Sequence, residues 1–363
     1  MKTKPMTKFA ILALSLVLVA CAGGGSEEAG CPAIDGREIN VVATTPMIGE
    51  FVSQVGGENI NLTVLMPPEA NPHTYEPAPQ DAGTIAEADL VFYTGLLYEP
   101  AALVKLLENS ACSTDILSEV GESVFPIEFK EGGHDDHDDH DDHDDEEGHD
   151  DEEGHDDHDD EEGHDDHDDE EGHDDEEGHD DHEGHNHGAY DPHFWFDPSR
   201  VAYAAEYIES RLIQFDPENE SSYKSSADSF VSELNDLTKQ VSELISTVPS
   251  QNRKLITTHE SLGYLEAKFG LEVLSTIIPS LNSANEISPS DLAGVIDVIE
   301  DNNVKVIFIE SEAPSVYSET IVAETGIKPV TGLYVETLKP GQSYSEFLIS
   351  NVKLITENLQ DTD

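Results

Sequence analysis

The sequence predicts an α/β fold in two lobes, each with a mostly parallel sheet flanked by helices, and one long helix between them. Three observations predict it. Val/Ile-rich runs alternate with helical patterns in both halves of the chain, which is the layout of parallel βαβ units. Between 217 and 247, Phe230, Leu234, Leu237, Val241, Leu244 and Ile245 keep helical spacing. A tract over 134–187 contains no aliphatic or aromatic residue and interrupts the alternation without replacing it.

The first segment lies outside the fold. Lys2, Lys4 and Lys8 form a basic start, and Phe9 to Ala20 is an apolar run too short to span a bilayer as a mature helix. Leu18-Val19-Ala20-Cys21 looks like a bacterial lipobox, in which cleavage falls before the cysteine and the Cys21 thiol carries lipid. A plain signal peptide with an incidental cysteine is the alternative. Ala22 to Gly30 is small and polar, as a tether should be. With no later transmembrane run, the mature protein is expected to be anchored to the membrane through lipid. Cys31 and Cys112 then remain as an even pair, which in an exported chain suggests one disulfide; two free thiols are the alternative.

Strands are expected at 39–45, 60–65 and 90–94, with a short one at 114–117. Helices are expected at 46–55, 81–88 and 100–109, the first opened by Pro46 and stopped by Gly56-Gly57. After the tract, Ser199 is read as the cap of a helix to about 214. Pro217 is read as the start of the long helix, and Pro249 as its stop. Strands at 254–257, 272–277, 305–309 and near 329 then alternate with helices at 262–269, 290–301 (Ser290 as cap), 316–325 and 343–358. The expected division is a signal peptide (1–20), a lipidated tether (21–35), an N-terminal α/β lobe (36–216), a linking helix (217–248) and a C-terminal α/β lobe (249–363).

The formal net charge is −62. Nucleic acid is excluded as a partner, because phosphate binding needs basic patches. A cation is the ligand such a surface suits. Fourteen of the 17 histidines fall in the acidic tract, leaving His73, His193 and His259 for the ordered part. His73 sits in Asn71-Pro72-His73-Thr74-Tyr75-Glu76-Pro77, stiffened by prolines on both sides. His193 sits in Asp191-Pro192-His193-Phe194-Trp195, beside the single tryptophan. His259 ends the run Thr257-Thr258-His259. All three lie at strand ends or in loops feeding helices, the edge at which open α/β sheets bind ligands. Neutral imidazole is a common ligand for Zn²⁺, and three imidazoles with one carboxylate make a tetrahedral set.

These motifs resemble the solute-binding lipoproteins of zinc and manganese ABC importers, the ZnuA-like or TroA-like family, over roughly 39–358. The resemblance implies that His73, His193 and His259 are metal ligands. Zinc members have His at the third position, whereas manganese members usually have Glu. It implies a late carboxylate as fourth ligand, here Glu336 in Tyr334-Val335-Glu336; most members have Asp, so either Glu336 or water completes the shell. Glu310, at the end of an apolar strand, is a weaker candidate for support of the site. The resemblance further implies a rigid linking helix, Zn²⁺ as the transported ligand, and an ABC permease with its ATPase subunit as partners. It places a monomeric protein, exported and lipid-anchored, on the outer face of the cytoplasmic membrane, at a cell surface or in a periplasm. Manganese or iron is the alternative cargo.

The tract, too polar to bury a core, is expected to be disordered when metal-free and to collect metal weakly. His134, His137, His140 and His143 recur every three residues, and His149, His155 and His158 continue the supply. A surface adhesin or a zinc store is a rival function, but a store needs no histidines in separate stiff loops. An enzyme is the other rival. His259-Glu260 lacks the second histidine of a His-Glu-x-x-His site, and no Gly-x-Ser-x-Gly or Walker loop occurs, so no enzymatic activity is expected and any ATP hydrolysis belongs to another subunit.

Overall fold

The computed structural model describes residues 31, 34, 36–68, 70–129, 190–282, 286–312 and 316–360. Cys21, the leader and the 134–187 tract with its seven singled-out histidines lie outside them. The first half holds β1 (Ile39–Ala43), α1 (Pro46–Gly56), β2 (Ile60–Val64), α2 (Pro79–Ala86), β3 (Leu90–Tyr93), α3 (Ala101–Ser110), β4 (Leu117–Glu119) and α4 (Pro198–Phe215). The helix α5 (Glu220–Ser246) follows. The second half holds β5 (Lys254–His259), α6 (Gly263–Phe269), β6 (Glu272–Ile278), α7 (Pro289–Asp301), β7 (Val306–Glu310), α8 (Val316–Thr325), β8 (Lys328–Leu333) and α9 (Tyr344–Gln360).

Two four-stranded parallel sheets result, ordered β2-β1-β3-β4 and β6-β5-β7-β8. Ile39 pairs with Ile60 and Val41 with Leu90 in the first; Ile256 pairs with Ile307 in the second. Each sheet changes winding direction at its first strand. The loops after β1 and β3, and after β5 and β7, therefore diverge and leave a crevice at the carboxyl ends of the strands, where such sheets take ligands. His259 and Glu310 are the last residues of β5 and β7.

Local chemistry sets the helix ends, and it differs from the sequence expectation at several of them; α2, for one, starts at Pro79 and ends at Ala86, two residues early at each end. Asp197, not Ser199, caps α4: its carboxylate accepts from the Ser199 backbone N–H at 2.9 Å, and Pro198 takes the first helical position, where a missing N–H costs nothing. Ser288, not Ser290, caps α7, in a reciprocal box with Asp291 around Pro289. Pro217 opens a separate 3-10 turn, Pro217–Asn219, and α5 starts only at Glu220. Residues Thr114–Ile116 form a 3-10 turn capped by Ser113, and the strand comes after them as β4.

The helix α5 buries Tyr223, Ala227, Phe230, Leu234, Leu237, Val241 and Ile245 at spacings of four and three, a single stripe along its length. That stripe packs on α1 and α4 on one side and on α9 and α6 on the other. One hydrophobic core consequently runs from Ile39 and Phe51 through Phe230 and Leu237 to Phe347 and Leu359. Cys31 and Cys112 are disulfide-bonded with Cα atoms 5.1 Å apart, tying the entry of β1 to the exit of α3. Among the described residues no helix is long and apolar enough to cross a membrane.

Candidate metal centre

His73 is placed by its own short loop. Pro72 opens a 3-10 turn, and the Asn71 side chain caps it by accepting from the His73 backbone N–H at 2.9 Å. Asp191 holds His193 from two residues upstream: one carboxylate oxygen accepts from the His193 backbone N–H and lies against the ring Nδ1, both at 2.8 Å. Glu310 does the same for His259 from the neighbouring strand, accepting from its backbone N–H at 3.2 Å and contacting its Nδ1. In both pairs the carboxylate fixes the ring through Nδ1 and leaves Nε2 to face the crevice, the usual support of a metal-binding imidazole. The Ser261 hydroxyl donates to Glu310 Oε1 at 3.3 Å, and the Thr258 hydroxyl accepts from the Glu310 backbone N–H at 3.0 Å, so Glu310 is itself held in place.

The three Nε2 atoms meet at Glu336. Its Oε1 lies 3.0 Å from His73 Nε2 and 3.0 Å from His259 Nε2, and its Oε2 lies 3.4 Å from His193 Nε2. The four donor atoms all fall within 4.8 Å of one another, and the His193, His259 and Glu336 side chains are sealed from solvent. Glu336 is thus a buried acid, not a surface one. The Nε2 atoms of His193 and His259 are buried and make no well-formed hydrogen bond; their nearest acceptors are the Glu336 oxygens at 3.4 and 3.0 Å. Two buried nitrogens without partners are costly unless something else satisfies them. A tetrahedral ion with bonds of 2.0–2.1 Å needs donors separated by about 3.3 Å, close to the three oxygen–nitrogen separations of 3.0, 3.0 and 3.4 Å here.

Acids and imidazoles in the cluster shift one another strongly. Burial pushes the His193 imidazole down, but Asp191 and Glu336 outweigh it and raise it to about 9. Burial also opposes the charged form of His259, yet Glu310 and Glu336 hold it well above the usual range. Burial would raise Glu336, and the three imidazoles beside it hold it well below the usual carboxylate range. The carboxylate therefore stands against protonated rings, and a divalent cation entering the site must displace those protons.

Three further residues belong to the site. The Tyr98 hydroxyl lies 3.0 Å from both the backbone oxygen and Oε2 of Glu336. Glu312 accepts from the Val335 and Glu336 backbone N–H groups at 3.2 and 3.4 Å, and burial followed by repulsion from Glu336 raises it to about 8. Trp195 donates to the Val335 oxygen at 2.8 Å and so fastens the strand of chain that carries Glu336. Neither Tyr98 nor Glu312 carries a local signal, since their partners come from elsewhere in the chain. Asp191 had one, its two-residue spacing to His193. A cavity of about 680 Å³ adjoins the site, lined by His73, Leu96, Leu97 and Tyr98 from the first lobe and Asn282 from the second.

Known proteins of similar sequence have metal-transport names. The chain is 25% identical to the manganese ABC transporter substrate-binding lipoprotein PsaA of Streptococcus anginosus over 98% of its length and 99% of that protein. It is 27% identical to the high-affinity zinc uptake system protein ZnuA of Bacillus subtilis, over 97% of this chain and 96% of the other. Its fold is that of the periplasmic zinc binding protein TroA from Treponema pallidum, at a TM-score of 0.67 and 19% identity, covering 89% of this chain and 99% of that one. A family model described as zinc-uptake complex component A, periplasmic, matches residues 41–358, more than three quarters of the sequence, and the chain belongs to that family.

Proposed function

We propose that this protein captures Zn²⁺ between its lobes with His73, His193, His259 and Glu336 and hands it to the permease of an ABC importer. The coarser role is that of its family: a metal-binding, substrate-binding component of an ABC importer, which implies permease and ATPase partners and is not an enzyme. The zinc reading rests on one observation, the convergence of three imidazole nitrogens and a carboxylate on one buried point. Three nitrogens and one oxygen suit a borderline ion that accepts four ligands, whereas Mn²⁺ favours more oxygen donors. The manganese name of the streptococcal relative supports the rival cargo; the histidine at 259 supports zinc. Relatives named as lipoproteins support attachment through Cys21 outside the cytoplasmic membrane; a monomer is the state we propose.

The deciding experiment separates the cleft from the tract. Glu128 and Tyr190 pair in an antiparallel bridge, so the chain ends flanking the tract are adjacent and residues 134–187 can be removed without parting them. The shortened protein is expected to hold one zinc ion tightly in competition with a chelator, and His259→Glu is expected to shift its preference toward manganese. Loss of tight one-to-one binding together with the tract would sink the proposal.

A further inference from the structure

The loop that carries Tyr98 is held in a conformation its sequence does not favour. Leu96 and Leu97 are both left-handed, with φ of 54° and 63°, a region that L side chains adopt only where the surroundings hold them there. Two carboxylates hold the loop there, the buried Glu99 and the half-buried Glu119. Glu99 accepts from the Thr44 hydroxyl and the Thr94 N–H at 2.7 Å, and from the Gly95 N–H at 2.9 Å. Glu119 accepts from the Leu96 N–H at 2.9 Å. Gly95 itself has φ of 77°, and a Cβ there would lie 2.0 Å from a Glu119 oxygen, so a larger residue would strain the turn and push the Glu119 side chain off the Leu96 N–H. The outcome is a fully buried Tyr98, edge-on to His73 and His193 at ring distances of 5.0 and 5.9 Å, with its hydroxyl on Glu336.

That hydroxyl divides the two oxygens of Glu336. Oε1 faces two of the imidazoles at 3.0 Å, whereas Oε2 is engaged by Tyr98 at 3.0 Å and lies farther, 3.4 Å, from the third. A carboxylate free at both oxygens can chelate an ion and raise its coordination number; one whose second oxygen accepts a phenol hydrogen bond offers a single donor. We propose that Tyr98 is a positioning residue that makes Glu336 a one-oxygen ligand, and so biases the site toward a four-coordinate ion such as Zn²⁺ over a higher-coordinate ion such as Mn²⁺. The inference deepens the zinc reading above and depends on it.

Tyr98→Phe removes the donor and keeps the ring. Zinc and manganese affinities of the full-length parent and variant are measured by competition against chelators strong enough to strip weaker sites. The zinc affinity of Tyr98→Phe is expected to fall about 10- to 100-fold, with manganese affinity no lower than in the parent. With half an equivalent of Co²⁺, the intense visible bands of a four-coordinate ion in the parent are expected to weaken in the variant. Independently of any variant, X-ray absorption of the parent with half an equivalent of zinc is expected to show three nitrogens and one oxygen. Equal losses for zinc and manganese with an unchanged cobalt spectrum, or two carboxylate oxygens bonded to zinc in the parent, would overturn the role of Tyr98. Failure of the parent to bind zinc tightly at one site would instead overturn the zinc reading beneath it.

Discussion

Asp191 shows how much of the site depends on residues that would not touch an ion. It holds both the backbone and the ring of His193, and its charge keeps that ring protonated in the metal-free state. Asp191→Asn preserves shape and removes charge, and is expected to weaken zinc binding about 10- to 100-fold in a competition titration. The raised imidazoles also fix the sign of the proton exchange. A ring that keeps its proton up to about 9 is protonated at pH 7.5, so zinc binding there must release protons. Calorimetry in two buffers of different ionisation enthalpy is expected to show that release; identical heats in both would contradict it. For the metal-free fold, His193 loses its proton near 6.5 when unfolded and near 9 when folded. Its stabilisation is complete below pH 6.5 and is lost as pH rises through 9, a decline on the order of 3 kcal/mol. Denaturant melts of metal-free protein across that window check the direction.

At the scale of elements, α5 joins the lobes through a single apolar stripe. Leu237 is buried in its middle, and Leu237→Ala is expected to cost about 2–5 kcal/mol by opening a cavity that rigid helices cannot close, read from the shift of a urea midpoint. The Cys31–Cys112 bond closes a loop with a separation of 81 residues, and its removal is expected to lower stability by about 4 kcal/mol through the freedom restored to the unfolded chain. Helix ends were the least legible elements. Asp197 and Ser199, or Ser288 and Ser290, are all good capping residues, and the choice within each pair fell to the proline at the first helical position.

Across the whole molecule, the core is continuous from the first sheet through α5 to α9. The protein is therefore expected to unfold in one cooperative transition by near- and far-ultraviolet dichroism, and two separated transitions would show that the lobes are independent. The same continuity limits hinge bending, so small-angle scattering is expected to give closely similar radii of gyration with and without zinc.

Amino-acid order alone determined the alternation of strands and helices, the long helix, and the three histidines, because each is written in residues close together: Val/Ile runs, a helical stripe, prolines around Asn71-Pro72-His73 and Asp191-Pro192-His193. The place of Glu336 followed from resemblance, since nothing in Tyr334-Val335-Glu336 separates a ligand from a surface acid. Only the tertiary structure decided that Glu336 is buried and that Tyr98, 238 residues away, bears on it. The reason is physical: local patterns report how the chain meets its near neighbours, whereas burial and the sharing of a carboxylate are fixed only when two lobes close on each other.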